Sequence, residues 1–202
     1  MAQTLFVVSA PSGAGKTSLV RAVVRRLNSL TVSISHTTRP QRTGETDGVD
    51  YHFIDIPTFE KMVADDLFIE CATVFDHSYG TSRQWVEQQL RAGNDVVLEI
   101  DWQGAQRIRA QLGATVGIFI FPPSINELRV RLEKRAREDS DTITRRMEEA
   151  MNEMRHYREY DYLVVNDDFE RAVDDITATI TAVRRGKKPA QRPPPTSLLR
   201  LL

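Results

Sequence analysis

The segment that decides the fold runs from Leu5 to Thr17 and reads LFVVSAPSGAGKT. Its opening run, Leu5–Ser9, is rich in β-branched and aromatic residues and ends before one proline and two glycines. That pattern predicts a buried strand that enters a turn. From Leu19 onward, apolar residues recur at a spacing of four, which predicts an amphipathic helix. A strand, a glycine-containing loop and a helix are therefore expected in direct succession.

The loop between that strand and helix matches a phosphate-binding pattern. Residues 10–17 fit G-x-x-x-x-G-K-[ST] at every fixed position except the first, where Ala10 replaces glycine. Successive backbone N–H groups at a helix N-terminus form a concave anion site, so nucleotide phosphates fit there. Lys16 would span the β and γ phosphates of ATP, and Thr17 would ligate Mg²⁺. A glycine turn that carries a surface lysine is the plainer alternative. The loop residues predicted to bind ATP are Ser12, Gly13, Ala14, Gly15, Lys16, Thr17 and Ser18.

Composition is that of an ordinary globular chain of one or two domains. The 202 residues are 41% hydrophobic and 27% charged, and Cys71 has no cysteine partner within the chain. An intramolecular disulfide and a cysteine-rich zinc site are thereby excluded. The longest apolar runs fall far short of the roughly 20 residues that cross a bilayer, and the N-terminus lacks the features of a signal peptide. A cytoplasmic protein that does not enter a membrane is expected.

Charge is distributed unevenly along the chain. Residues 184–202 hold six basic groups and no acid, which leaves 21 basic against 28 acidic groups in the remainder. A body with a net charge of −7 argues against a nucleic-acid-binding domain, since such a domain needs a basic face. Residues 185–202, called the tail below, are basic and rich in proline, so we expect the tail to be extended or disordered.

The remaining pattern predicts an α/β fold with a mostly parallel sheet and helices on both faces. Helical segments separate further apolar runs, and this alternation is typical of such sheets. Residues 34–94 are polar and aromatic and predict an inserted lobe, whereas residues 126–160 are charged and helical and predict a mobile flap. An amphipathic helix closes the body. The additional predicted strands are Asp95–Ile100, Val116–Phe121 and Tyr162–Asn166, and the closing helix is Phe169–Val183.

Four blocks of sequence resemble guanylate kinases in order and spacing, over residues 4 to about 184. They are the loop described above, Ser33–Tyr51, Leu98–Gly104 and Tyr160–Asp168. The resemblance implies a P-loop nucleotide-kinase fold and the reaction ATP + GMP → ADP + GDP. It also implies one domain over residues 1–184, followed by the tail. The core would comprise residues 1–33, 95–125 and 161–184, the inserted lobe (34–94) would bind GMP, and the helical segment 126–160 would be a lid.

The resemblance also assigns residues to GMP. Two guanidinium groups and two phenols suit a phosphate dianion, and one carboxylate can accept hydrogen bonds from both N1–H and N2–H₂ of guanine. Without the resemblance, Glu70 would read as a solvent-facing strand carboxylate. Glu99 and Asp101 lie near Mg²⁺ and GMP in this reading, and one of them could instead cap the following turn. The residues implied for GMP are Ser35, Arg39, Arg42, Glu45, Tyr51, Glu70, Tyr79, Thr81, Glu99 and Asp101.

In-line phosphoryl transfer requires charge neutralisation over the transferred oxygens, and mobile arginines suit that task. The resemblance implies that lid arginines close over the phosphates and that Asn166 contacts the adenine ring. Arg137 is a rival to Arg135, because the sequence around residue 135 departs from the family pattern. Helix-surface arginines paired with acids are the plainer reading for some of them. The residues implied to be catalytic are Lys16, Arg39, Arg131, Arg135 and Arg146.

Three other functions share parts of this sequence pattern. A switch GTPase is disfavoured because the guanine-reading Asn-Lys-x-Asp motif is absent where Asn166 is followed by Asp167. A kinase for another nucleoside monophosphate remains open. A non-catalytic module like the guanylate-kinase-like domains of scaffold proteins would have lost the loop residues that Lys16 and Thr17 retain here. The predicted partners are thus GMP and ATP, with neither nucleic acid nor membrane, and a homo-oligomer is left open.

Overall fold

The computed structural model describes residues 3–74, 76–113, 115–135 and 140–202, without the side chains of residues 135, 140 and 141. Helices and strands alternate along most of the chain, as the pattern predicts. In chain order the elements are β1 (Leu5–Ser9), α1 (Lys16–Arg26), β2 (Leu30–Val32), β3 (His36–Thr37), β4 (His52–Phe53), α2 (Ile56–Ala64), β5 (Phe68–Val74), β6 (His77–Ser82), α3 (Arg83–Arg91), β7 (Asp95–Glu99), α4 (Trp102–Leu112), β8 (Thr115–Phe121), α5 (Ile125–Arg135), α6 (Ser140–Arg155), a 3₁₀ turn (His156–Glu159), β9 (Tyr162–Val165), α7 (Phe169–Arg184) and α8 (Thr196–Leu199).

A parallel sheet lies at the centre of the molecule, in the strand order β2-β7-β1-β8-β9. The expected strands are present in it, and the short strand β2 is an addition that the sequence reading missed. Side chains of β1 alternate between two hydrophobic clusters: Leu5 and Val7 face one, and Phe6 and Val8 face the other. Because both faces are covered by helices, every residue of β1 is buried. The predicted α/β fold with helices on both faces is confirmed.

A second, smaller sheet is built from the segment predicted to form a lobe. Its strand order is β4-β3-β6-β5, with β5 and β6 antiparallel. Helix α2 beside it is capped by Asp55, whose side chain accepts a hydrogen bond from the Thr58 N–H at 2.9 Å. Helix α3 lies within the same stretch of sequence but packs its fully buried Val86 into the core of the central sheet. Ile69 of β5 is buried in the same cluster, so β5 links the small sheet to the core of the central one.

The helical segment after β8 packs against the central sheet. Leu128 and Leu132 of α5 and Met154 of α6 are fully buried in the cluster on one face of that sheet. None of the helices within the described ranges is long and apolar enough to span a bilayer.

The expectation of an extended or disordered tail is contradicted for its last part. Residues 187–195 form neither helix nor strand, but the chain then folds into the short helix α8, and Leu198 is buried with only 1% of its surface exposed. Pro194 is buried as well. The tail is therefore held by apolar contacts that its basic, proline-rich composition did not reveal.

Candidate active site

The glycine-containing loop between β1 and α1 has the backbone conformation that its glycines permit. Gly13 and Gly15 have φ values of 89° and 93°, in the left-handed region that residues with a Cβ avoid. A Cβ on Gly15 would lie 2.5 Å from Nδ2 of Asn166, so this position also lacks room for a side chain. Ala10 is not among the described residues with positive φ. Its methyl group therefore causes no backbone strain at the one position where the pattern departs from glycine.

Lys16 and Thr17 face the carboxyl end of β7. The ammonium of Lys16 donates to the Ile100 carbonyl at 3.3 Å, and the hydroxyl of Thr17 donates to Oε2 of Glu99 at 2.9 Å. The carboxyl ends of parallel strands are where open α/β sheets bind ligands. The structure thus brings the loop's charged and hydroxyl groups to the edge of the sheet that the sequence reading indicated.

Glu99 and Asp101 have different contacts. Glu99 accepts from Thr17, whereas Asp101 is the N-cap of α4 and accepts from the Gly104 N–H at 2.8 Å. An N-cap carboxylate satisfies an otherwise unpaired helix donor. Asp101 therefore has the capping role that the sequence left open between the two acids.

Asn166 joins the loop to the end of β9. Its side-chain amide donates to the Ala14 carbonyl at 2.7 Å, and its backbone carbonyl accepts from Nη2 of Arg131 at 3.3 Å. Arg131 also forms an ion pair with Glu127, one turn earlier on α5, at 3.1 Å. Helix α5 is packed on the loop as well, because a Cβ on Gly13 would come 3.1 Å from Leu128. The loop, α5 and the end of β9 thus meet at Asn166.

Glu70 is a buried carboxylate in the small sheet, only 6% exposed. Its Oε1 accepts from the hydroxyl of Thr81 at 2.6 Å. Burial raises the pKa of Glu70 to about 7, and neighbouring Asp101 contributes to the rise while Lys16 opposes it. A Cβ on Gly104 would lie 2.8 Å from Oε2 of Glu70, so glycine at this position leaves room for the carboxylate. A partly protonated acid therefore lies within electrostatic range of the loop lysine.

The residues predicted for the GMP phosphate form one cluster around Arg39. The guanidinium of Arg39 lies 2.8 and 3.0 Å from the two carboxylate oxygens of Glu45, and 5.3 Å from the centre of the Tyr51 ring. The backbone N–H of Arg42 donates to the same carboxylate at 2.8 Å. The rings of Tyr51 and Tyr79 lie 5.9 Å apart. Burial raises the pKa of Tyr51 to about 12, so its phenol is a hydrogen-bond donor at neutral pH.

The other predicted site residues are distributed as follows. Ser35 lies just before β3, and its carbonyl accepts from the His52 N–H at 2.9 Å. Ser12 and Ser18 flank the glycines, in the loop and in the first turn of α1, and Arg146 lies on α6. The prediction for the Arg135 side chain and the rival prediction for Arg137 both fall outside the described residues.

Glu153 was missed by the sequence reading. It lies on α6 beside the buried Met154, and its carboxylate lies close enough to the loop for Ser12 and Lys16 to influence its pKa. Burial raises that pKa to about 7, which the nearby Lys16 opposes and Asp101 reinforces. A lone acid in a charged helix gives no sequence signal for such proximity. A carboxylate of α6 thus lies beside the loop.

Comparison with known proteins finds relatives of this chain in both sequence and structure. A model of the guanylate kinase family matches residues 2–183. The guanylate kinase of Alkalilimnicola ehrlichii is 55% identical over 184 residues, which cover 91% of each chain. The guanylate kinase of Coxiella burnetii is 54% identical over 180 residues, covering 89% of this chain and 87% of the relative. The crystal structure of guanylate kinase from Anaplasma phagocytophilum superposes with a TM-score of 0.74 at 33% identity, covering 90% of this chain and 86% of that one.

Proposed function

The chain belongs to the guanylate kinase family and is an ATP-dependent kinase that converts GMP to GDP; we propose that its glycine-containing loop holds ATP while the small sheet holds GMP. The observation that carries this division is the position of Glu70. A buried carboxylate, bonded to Thr81, lies against Gly104 at the start of α4, just after the Ile100 carbonyl that Lys16 contacts. A guanine edge that donates to Glu70 would bring the attached phosphate toward the loop.

Guanine selectivity follows from the same carboxylate. Guanine presents N1–H and N2–H₂ on one edge, and a carboxylate can accept from both, whereas adenine has no such donor pair there. Binding AMP would leave a buried acid without partners. We expect this to disfavour AMP by a factor on the order of 10⁴.

The phosphate of GMP would bind in the cluster around Arg39. Arg39 and Arg42 supply guanidinium groups, and Tyr51 and Tyr79 supply phenol donors. Glu45 holds the Arg39 guanidinium through both of its carboxylate oxygens, which fixes the side chain before the substrate arrives. Although partial burial opposes the shift, hydrogen bonds from Arg39 and from the Arg42 N–H lower the pKa of Glu45. Glu45 is therefore ionised whenever the enzyme works.

Transfer then needs positioning and charge neutralisation more than covalent participation by the protein. Lys16 would contact the β and γ phosphates, and Arg131, Arg135 and Arg146 of the lid would neutralise the transferred oxygens. Closure of the lid over both nucleotides would exclude water that otherwise hydrolyses ATP. The contacts of α5 with Gly13 and Asn166 support this role, because they already join the lid to the loop.

Mg²⁺ suits the oxygen atoms next to the loop. Thr17 and Glu99 present a hydroxyl and a carboxylate 2.9 Å apart, and Mg²⁺ prefers such oxygen ligands. It commonly binds through one or two protein groups together with substrate phosphates and water. Thr17 would hold it directly, Glu99 would orient Thr17, and the ion would neutralise phosphate charge. Asn166 would contact the adenine ring.

The proposal also includes a cytoplasmic location, where ATP and GMP are available, and small-molecule substrates without nucleic acid. The acidic body, with a net charge of −7 outside residues 184–202, supports the latter.

A comparison of nucleoside monophosphates tests the proposed function. ADP formation from ATP is measured with GMP, AMP, CMP or UMP for the wild-type chain, for Lys16→Ala and for a control in which the exposed Lys61 becomes Ala. We expect activity on GMP in the wild type and the Lys61 control, with loss in Lys16→Ala. Equal rates on AMP and GMP would contradict guanine recognition by Glu70. Full activity of Lys16→Ala would contradict the assignment of ATP to the loop.

A further inference from the structure

The tail crosses the outer edge of the central sheet. Arg184, at the end of α7, contacts Asp95 at 2.7 Å and so lies near the amino end of β7. From there the chain runs along β9, which is the last strand of the sheet. The Gln191 side chain donates to the Asp161 carbonyl at 3.1 Å, and Arg192 donates to the Val165 carbonyl at 2.9 Å. The tail therefore covers a strand edge whose carbonyls would otherwise face solvent.

Arg192 also binds a carboxylate immediately beyond β9. Its Nη1 lies 2.6 Å from Oδ2 of Asp167 and its Nη2 lies 3.0 Å from Oδ1, which is a two-pronged guanidinium–carboxylate pair. Asp175 of α7 lies 3.5 Å from the same Nη2. Hydrogen bonds from Arg192 are the main reason why the pKa of Asp167 falls to about 2. Buried Pro194 and Leu198 anchor the chain on the far side of Arg192.

The segment that Arg192 holds belongs to the nucleotide site. Asp167 directly follows Asn166, whose side chain donates to the Ala14 carbonyl of the loop at 2.7 Å. The Asn166 carbonyl in turn accepts from Arg131 of the lid. A displacement of Asp167 would therefore shift the residue that joins the loop to the lid.

We propose that Arg192 of the tail is a positioning residue for ATP. By holding Asp167 and the end of β9 in place, it fixes Asn166 against the glycine-containing loop. The inference rests on the proposed assignment of ATP to that loop. It extends the site beyond the residues 2–183 that the family model matches. Glu70 and the cluster around Arg39 lie on other elements, so the effect is confined to the ATP side.

Steady-state kinetics of the full-length chain test this role. Arg192→Ala is compared with the wild type and with Arg200→Ala, which removes an exposed arginine from the same tail. We expect Arg192→Ala to raise KM for ATP by about threefold to tenfold, as for loss of a half-buried bidentate pair, with KM for GMP unchanged. Arg200→Ala should match the wild type. Asp167→Asn should also raise KM for ATP, and the effect of the double variant should be smaller than the product of the two single effects, since the Arg192–Asp167 pair is lost in all three.

Two results would overturn the inference. One is a KM for ATP in Arg192→Ala equal to that of Arg200→Ala, and the other is an equal rise of KM for both substrates, which indicates general loosening. If Arg192→Ala folds poorly, Arg192→Lys keeps the charge but cannot form the two-pronged pair, so its KM for ATP should still rise at least about twofold. Failure of the proposed function would look different, because the wild type and Arg200→Ala would then also lack GMP-dependent turnover.

Discussion

Replacing Glu70 by Gln should stabilise the unliganded protein above neutral pH while removing guanine recognition. Glu70 is 6% exposed, and its burial raises its pKa from 4.5 to about 7. Glutamine has nearly the same shape, and its carbonyl oxygen can still accept the hydrogen bond from Thr81. The substitution therefore removes the buried charge without creating a cavity.

The magnitude follows from the two pKa values. Below pH 4.5 the carboxyl is protonated in both the folded and the unfolded chain, so its ionisation does not lower the free energy of unfolding there. Between 4.5 and about 7 the folded chain retains a proton that the unfolded chain has released, so the free energy of unfolding falls as pH rises. Each pH unit in that range is worth about 1.4 kcal/mol, which gives a full cost of about 3 kcal/mol above neutral pH. For a chain of this length that corresponds to about 6–12 °C in Tm.

Thermal unfolding without nucleotides at about pH 8 and about pH 5 measures this cost. We expect Glu70→Gln to unfold at a higher temperature than the wild type at the higher pH, with most of the difference gone at the lower pH. Glu60→Gln, which alters an exposed acid on α2, is the control and should show no such pH-dependent gain. GMP should raise the Tm of the wild type but not of Glu70→Gln. A variant no more stable than wild type at about pH 8, or equally stabilised at both values, would refute the reasoning.

Three further substitutions test other parts of the site. Lys16→Ala should lower kcat by at least about 10²-fold through lost stabilisation of phosphate charge, with Tm nearly unchanged; an unaltered kcat would contradict its role. Gly104→Ala would place a Cβ 2.8 Å from Oε2 of Glu70, so KM for GMP should rise about tenfold while KM for ATP stays constant; a change in KM for ATP alone would argue against it. Glu153→Gln removes a negative charge that lies close to the loop where the triphosphate would bind. A non-hydrolysable ATP analogue should then bind about fivefold more tightly at about pH 8, and the gain should shrink at about pH 6, where the wild-type acid is largely protonated; weaker binding would contradict this charge repulsion.

The central sheet was largely predictable because its strands are local apolar runs. The strand Leu5–Ser9 and its loop are indicated by β-branched residues, proline and glycine. The helix after them is indicated by the four-residue spacing of its apolar residues. The strand β2 (Leu30–Val32) was missed because three residues carry no periodicity. The small sheet has strands of only two residues at β3 and β4, held mainly by pairing with partners distant in sequence. No local pattern encodes such pairing.

The site was predictable where a motif fixes the backbone and less so where burial decides the chemistry. Lys16 and Thr17 follow from the loop pattern alone. Glu70, within Phe68–Cys71, looks like a surface strand residue until Thr81 and Gly104 are packed against it. Burial raises the pKa of Glu153 on α6, and Arg192 contacts Asp167, which lies 25 residues away; composition indicated neither.

A crystal structure of the enzyme with GMP and a non-hydrolysable ATP analogue would examine both nucleotide sites at once. We expect triphosphate oxygens on the backbone N–H groups of residues 12–17, with the ammonium of Lys16 beside them, and the guanine N1–H and N2–H₂ directed at Glu70. A guanine ring bound away from Glu70, or a triphosphate bound outside the loop, would contradict this expectation.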